Sequence, residues 1–330
     1  MSEFLRPVLL ACVSLVLCAT APWVAAQESW PSRPIHFIVP FSPGTAVDGM
    51  ARIIGASIGK DLNVSIVVEN KEGASGIVGS AYGANAKADG YTVLMGTQAI
   101  VTAIFFTPTM PFDPVRDLAP IVKVGTAPSV MFTATHSRFT NFATLLAEAK
   151  ARPEALSYAH AGPGSSGHLG GEVIMKAFGF QARGIGYKTQ PQAMIDTVTS
   201  RVDFAMANVP VARAQLDAGT LRPLAVGSRT RMPGLPQTPT LAELLKQPDF
   251  ELGNWYGYLV PAGTPQIAID RLRSGIIKAV NDPAIRPQLE NALGGSKAEI
   301  EDTAKFGARI REEKELYRKM IADLGLTPKS

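Results

Sequence analysis

Ser165, Ser166 and His168 stand close together, and a serine beside a histidine is the raw material of a nucleophile and its base. The nucleophile-elbow spacing G-x-S-x-G is not met, because Gly164-Ser165-Ser166-Gly167 is one residue short. A secreted hydrolase is therefore the alternative reading, since a complete acid, base and nucleophile set is missing. The same stretch, Gly162-Pro163-Gly164-Ser165-Ser166-Gly167, also fits G-x-G-x-x-G, the dinucleotide fingerprint. The acidic residue expected about 20 positions on is absent, and Tyr187 and Lys188 stand there instead. Pro163 also removes a turn donor. What remains is physical: backbone N–H groups and two hydroxyls at a helix N-terminus attract a small anion.

A second stretch of this kind is Ile35 to Gly55, IHFIVPFSPGTAVDGMARIIG. Ile35, Phe37, Ile38 and Val39 form a short buried strand. Pro40, Pro43 and Gly44 break it. Thr45 and Asp48 can cap a helix beyond the turn, where Met50, Ile53, Ile54 and Ile58 recur at helical spacing. The turn leaves N–H groups at a helix N-terminus, where the helix dipole also favours negative charge.

Other polar residues offer less. Of His36, His136, His160 and His168, only the last two lie close, without a carboxylate at metal spacing, so no metal and no cofactor is expected. Asp203 precedes a strand and reads as a turn or hinge-side ion pair. Trp255 and Tyr256 read as core or hinge residues, with cleft lining as a second choice. Asn208 follows a strand and can reach a ligand from its end.

The elements around these loops alternate. Strands at Ser65–Glu69 and Tyr91–Met95, a helix reaching about Ala88, and the opening unit argue a parallel, doubly wound sheet. Ile121–Thr135 is a candidate crossing strand. The alternation then restarts: helix Asn141–Ala151, strand Leu156–Ala159, helix His168–Phe178, strand Arg183–Tyr187, helix Pro191–Ser200, strand Phe204–Ala207, helix Val211–Ala218 and strand Leu221–Val226. Gly253–Pro261 is a return strand, with helices at about Pro265–Val280, Pro283–Ala292 and Thr303–Leu324. Two lobes, each offering a loop at its strand ends, make a cleft.

Composition fits such a protein. The apolar fraction is 46%, ample for a core, and the net charge of +4 comes without a dense basic run, so nucleic acid is not expected as a partner. Residues 1–26 read as a signal peptide: Arg6, then the apolar run Val8–Ala21, then Val24-Ala25-Ala26 before Gln27. Cys12 and Cys18 both fall inside it, which leaves a mature chain without disulfide or thiol chemistry.

Taken in order, WPSRPIHFIVPFSPG with Asp48 and Arg52, VVENKEGASGIVGS, KADGYTVLMGT, YAHAGPGSSGHLGGE, GYKTQPQAMIDTVTSRVDF, LRPLAVGSRTR with LPQTPTLAE, and WYGYLVPAGTP resemble the substrate-binding receptors of tripartite tricarboxylate transporters, the Bug-type proteins. The resemblance implies an α/β, two-lobed periplasmic binding protein of type II, a Venus flytrap with two doubly wound sheets. It implies lobe 1 at 27–126, with 254–330 returning to it, and lobe 2 at 127–253. It also implies a periplasmic, non-enzymatic receptor that closes on an organic carboxylate and serves the membrane permease subunits of a tripartite transporter; a monomer is expected, and Phe41 flanking the ligand points to an aromatic dicarboxylate before an aliphatic one. Presentation of the ligand to a membrane sensor kinase is the other partner it leaves open. Carried over by position, Phe41, Ser42, Gly44, Thr45 and Asp48 form the first-lobe loop, extended by Thr97 and Gln98. Gly164, Ser165, Ser166 and His168 form the second, with Tyr187 and Asn208 near it. One departure stands out: the family usually has Pro-Gly-Gly in the first loop, where this chain has Thr45.

Overall fold

The computed structural model describes residues 30–107 and 109–323. The expected signal peptide with both cysteines, Pro108 and the last residue of the expected C-terminal helix lie outside the described residues.

The opening unit forms as its pattern dictates. Strand β1 (Ile35–Val39) runs into a turn and then helix α1 (Ala46–Leu62). Met50, Ile54 and Ile58 are fully buried along one stripe of α1. Strand β2 (Ile66–Asn70), helix α2 (Ile77–Ala84), strand β3 (Thr92–Thr97) and the short helix α3 (Ala99–Thr102) come next. Strand β4 (Leu118–Ala134) is the long crossing strand. Beyond it come α4 (Phe142–Ala151), β5 (Ser157–His160), α5 (Ser166–Phe178), β6 (Arg183–Gly186), α6 (Gln190–Val198), β7 (Phe204–Asn208), α7 (Val209–Asp217), β8 (Leu221–Val226) and α8 (Leu241–Leu245). Strand β9 (Gly253–Pro261) returns, and α9 (Gln266–Asn281), α10 (Arg286–Ala292) and α11 (Thr303–Asp323) complete the described chain.

The strand order is β2-β1-β3-β9-β4-β7-β5-β6, with β8 also paired to β4. The parallel pairing expected from the alternation is present in each half, and antiparallel strands join it. β1 pairs in parallel with β2 and β3, and β5 with β6 and β7, but β9 runs antiparallel to β3 and β4, and β7 and β8 run antiparallel to β4. The sheet is also continuous through one strand. β4 pairs with β9 from Leu118 to Pro128, then with β7 and β8 from Ser129 to Ala134. Register shifts near Pro120, Gly125 and Met131 break the regularity of this strand.

Each half has its own core on both sheet faces, as sheets covered by helices require. In the first half, Phe37, Val93 and Tyr258 pack with α1 and α9, while their neighbours Ile38, Leu94 and Leu259 pack on the opposite side with Trp255 and Phe306. In the second half, Tyr158, Phe204 and Met206 face one core, and Ala159, Ala205 and Ala207 the other. The strand ends of both halves meet where β4 changes partners, and the loops there enclose the cleft.

Candidate functional site

A cavity of about 700 Å³ opens between the two halves. Its wall from the first half includes Phe41, Ser42, Thr45, Ala46, Val47, Ser75 and Tyr256. The second half contributes Pro163, Ser165, Ser166, Tyr187, Gln190 and Asn208. The first residues of α1, α5, α6 and α7 or their N-caps all lie on this wall. First-turn N–H groups have no partner within a helix, so these termini gather donors and positive dipole ends around one space. Among the lining residues described, Lys188 is the cation and Glu72 the anion, and both are exposed.

The first loop is built around Asp48. Its carboxylate accepts from the Gly44 N–H at 3.0 Å, from Asn70 Nδ2 at 3.0 Å and from Arg52 at 2.9 Å, and the residue is buried. Burial pushes this carboxyl up, but the bonds from Arg52, Gly44 and Asn70 outweigh it and hold it below the usual range. Asp48 therefore caps the loop from behind and does not line the cavity. Gly44 takes the positive φ of +81° that the turn requires, whereas Thr45 is extended at φ −75°, ψ 163°. That is why Thr45 is tolerated where the resembling receptors have glycine. Its hydroxyl donates to the Ser42 carbonyl at 2.9 Å rather than capping α1. Ser42 donates to Glu72.

Thr97 and Gln98 lie one layer behind. Thr97 Oγ1 accepts from the Ala99 N–H at 3.2 Å, and the Gln98 N–H donates to Asn254 Oδ1 at 3.0 Å. Ala99 and Asn254 are the residues of this group that reach the wall.

In the second loop, Ser165 caps α5. Its hydroxyl donates to the Gly162 carbonyl at 2.7 Å and accepts from the His168 N–H at 3.3 Å. His168 Nδ1 accepts from the Gly164 N–H at 3.3 Å. The His168 ring meets Phe106 edge-on at 5.3 Å and His160 at 4.6 Å. Burial, helped by the neighbouring His160, lowers the His168 pKa to about 4, so the ring is neutral at pH 7. Gly164 has a positive φ of +75°, and a Cβ there would meet Phe106 at 2.8 Å. The glycine pattern in this loop thus serves a tight turn closely opposed by the first half, with Ser166 on the wall and Gly164 and His168 behind it. Among the described residues no hydrogen bond joins a serine hydroxyl to the His168 ring, so the two do not form an activated pair.

Tyr187 lines the cavity, but its hydroxyl donates to Asp196 at 2.8 Å. Burial first, and Asp196 second, push it up to about 12. Asn208 Nδ2 approaches the Tyr256 hydroxyl at 2.8 Å, and Asn208 Oδ1 is buried without a partner. Burial pushes the Tyr256 hydroxyl up to about 12, so it keeps its proton.

Ser75 also belongs to this site, although its local sequence does not single it out. Its hydroxyl donates across the cleft to the Ala161 and Pro163 carbonyls, both at 3.2 Å. The local signal is the Gly-rich KEGASGIVGS run in which Ser75 sits. Trp255 and Tyr256, adjacent on β9, face opposite ways. Tyr256 reaches the wall, while Trp255 points the other way and donates to Glu313 at 2.7 Å. Alternation along β9 accounts for the difference. The Ser157 N–H donates to Asp203 at 2.9 Å, and Asp203 is not among the wall residues.

Residues 50–326 match the Tripartite tricarboxylate transporter family receptor. The chain belongs to that family. It is 34% identical over 321 residues to the UPF0065 protein in the tcbD-tcbE intergenic region of Pseudomonas sp. (strain P51), covering 96% of this chain and 94% of the relative. Among solved structures, R. palustris Rpa4515 with adipate superposes with a TM-score of 0.83 at 29% identity, covering 90% of this chain and 98% of that one. The periplasmic binding protein BugD superposes at 0.81 with 28% identity, covering 91% and 100%. This tripartite tricarboxylate receptor chain therefore has the α/β periplasmic binding protein fold, and its family consists of binding proteins, not enzymes.

Proposed function

We propose that this receptor is exported by cleavage after Ala26, works in the periplasm as a monomer, and captures an organic dicarboxylate for the permease of a tripartite transporter. Residues 27–126 with 254–330 act as one lobe and 127–253 as the other. They close by bending where β4 and β9 cross between them. The carrying observation is that the first turns of α1 and α5 open on one cavity, at Thr45, Ala46 and Val47 on one side and Ser165 and Ser166 on the other. A carboxylate at each end would meet unpaired N–H groups, and charge-assisted bonds of this kind contribute about 1.5–3 kcal/mol each. Occupying both ends favours closure because each lobe then gains a charged partner.

Phe41 and Tyr256 give the body of the ligand an aromatic wall. The adipate in Rpa4515 supports aliphatic dicarboxylates alongside the aromatic ones. The ligand-binding set proposed is Phe41, Ser42, Thr45, Ser165, Ser166, Tyr187 and Asn208. Gly44, Asp48, Thr97, Gln98, Gly164 and His168 shape the loops that carry them.

The test is a thermal-shift screen of mono- and dicarboxylates on the mature protein. A ligand at about 100 times its Kd adds roughly 2.7 kcal/mol of stability. Dicarboxylates that raise Tm while their monocarboxylate analogues do not would support the reading. Equal shifts from both would contradict it.

A further inference from the structure

Ser165 and Ser166 line the cavity from the second half, yet the turn that leads into them is shaped from the first. Gly162 and Gly164 in that turn hold positive φ, at +91° and +75°. Glycine is as free in other conformations as in this one, so the turn does not fix its own shape. Its neighbours must.

Gly164 is held from both halves. Its N–H donates to His168 Nδ1 at 3.3 Å, within the second half. Its carbonyl accepts from Thr102 Oγ1 at 2.8 Å, from the first half. Beside its Cα stands Phe106, the last residue of a single 3-10 turn, Ala103–Phe106, that follows α3. A Cβ on Gly164 would meet that ring at 2.8 Å, so the aromatic side chain fills the place a side chain here would take. The same ring meets His168 edge-on, with centroids 5.3 Å apart and planes at 82°. His160 packs on the same imidazole at 4.6 Å. One first-half side chain therefore touches both the glycine and the imidazole that accepts its N–H. Ser165 and Ser166 follow Gly164 directly, and the first-turn N–H groups of α5 take their direction from this turn.

We infer that Phe106 is a positioning residue for the second-half end of the site: when the two halves meet, it sets His168 and Gly164 in the shape that aims the α5 terminus at the ligand. Closure and capture of the second carboxylate then reinforce each other, because the first half completes the partner that this carboxylate binds. Thr102 fixes the carbonyl of Gly164, and Phe106 fixes the acceptor of its N–H. The inference rests on the two-ended capture proposed for this cleft, and it says how one lobe prepares the other.

Two measurements test it. In isotope-labelled mature protein, Phe106→Ala should move the His168 ring-nitrogen and Gly164 amide resonances, with Ser165 and Ser166 following, while Gly44 and Thr45 in the first loop stay still. Stationary Gly164 and His168 signals would overturn the inference. In calorimetry, Phe106→Ala should weaken adipate about fivefold, the size expected of an aromatic pair, and its monomethyl ester less, because the ester can place its one carboxylate on α1. The adipate-to-ester ratio therefore falls. An equal loss for both compounds would reduce Phe106 to a closure contact and overturn the inference, as would an unchanged affinity for adipate. Phe106→Leu, which keeps apolar bulk and lacks the ring, should lose part of the ratio, and it takes the place of the alanine variant if that one does not fold. If wild type binds neither compound, or both equally, the two-ended reading fails on its own, and the resonances still decide whether Phe106 shapes the turn.

Discussion

Thr102 Oγ1 donates to the Gly164 carbonyl at 2.8 Å, a buried bond from the first half of the molecule to the loop that opens α5. It ties α3 to the turn beneath Ser165. Thr102→Val leaves that carbonyl without a donor, at a cost of about 1–3 kcal/mol in the closed arrangement. Ligand binding should weaken about tenfold or more, and Thr102→Ser should restore most of it. Calorimetry on the three proteins checks this.

Ser75 makes the matching contact nearer the mouth. It holds a positive φ of 56°, which costs a residue with a Cβ. The strain persists where the hydroxyl reaches two carbonyls across the cleft. Ser75→Gly relieves the backbone but removes the bonds, so it should raise thermal stability slightly and weaken binding severalfold. A variant with unchanged affinity would show that this contact does not assist closure.

Asp48 predicts a different pattern. It faces away from the cavity and holds the Gly44 turn, so Asp48→Ala should cost about 2–4 kcal/mol of stability by stripping charged bonds from Gly44, Asn70 and Arg52. Denaturant unfolding would show this. Any loss of affinity should come from a loosened α1 terminus, and Asp48→Asn should lie between wild type and Ala.

The pH dependence has a definite sign. His168 is depressed to about 4 by burial and by His160, from about 6.5 unfolded. The unfolded chain takes the proton first, so stability is complete above pH 6.5 and falls as the pH drops toward 4. The loss is on the order of 2–3 kcal/mol. Protonation also removes the acceptor for the Gly164 N–H. His168→Gln should flatten this slope, which separates it from Asp117 and Glu172, whose carboxyls titrate in acid as well. Melting curves between pH 7 and 4 measure it.

Much of this molecule was legible in its sequence, and the parts that were not have physical causes. Short apolar runs ended by proline and glycine marked β1, β3 and the strand-to-helix turns, because burial on two faces leaves a continuous hydrophobic signature. Helix α3 was missed because four residues after a strand carry no period. The antiparallel course of β9 was not readable either, since strand direction is fixed by the return of the chain and not by local pattern. At the site, loops with helix-opening residues were visible. Which of their side chains face the cavity was not, because Asp48, Thr45 and Ser165 use the same polar chemistry to hold turns that a ligand site would use to hold an anion. Ser75 escaped notice because its partners lie 86 and 88 residues away in the chain.

The most direct test of the two-ended capture is calorimetry with adipate and with its monomethyl ester on the mature protein. Esterification removes one charge and leaves the carbon chain nearly unchanged. If α1 and α5 each hold one carboxylate, the ester should bind at least tenfold more weakly, a larger loss than Thr45→Val or Ser165→Ala produces with the diacid. Full affinity for the monoester would contradict the two-ended clamp.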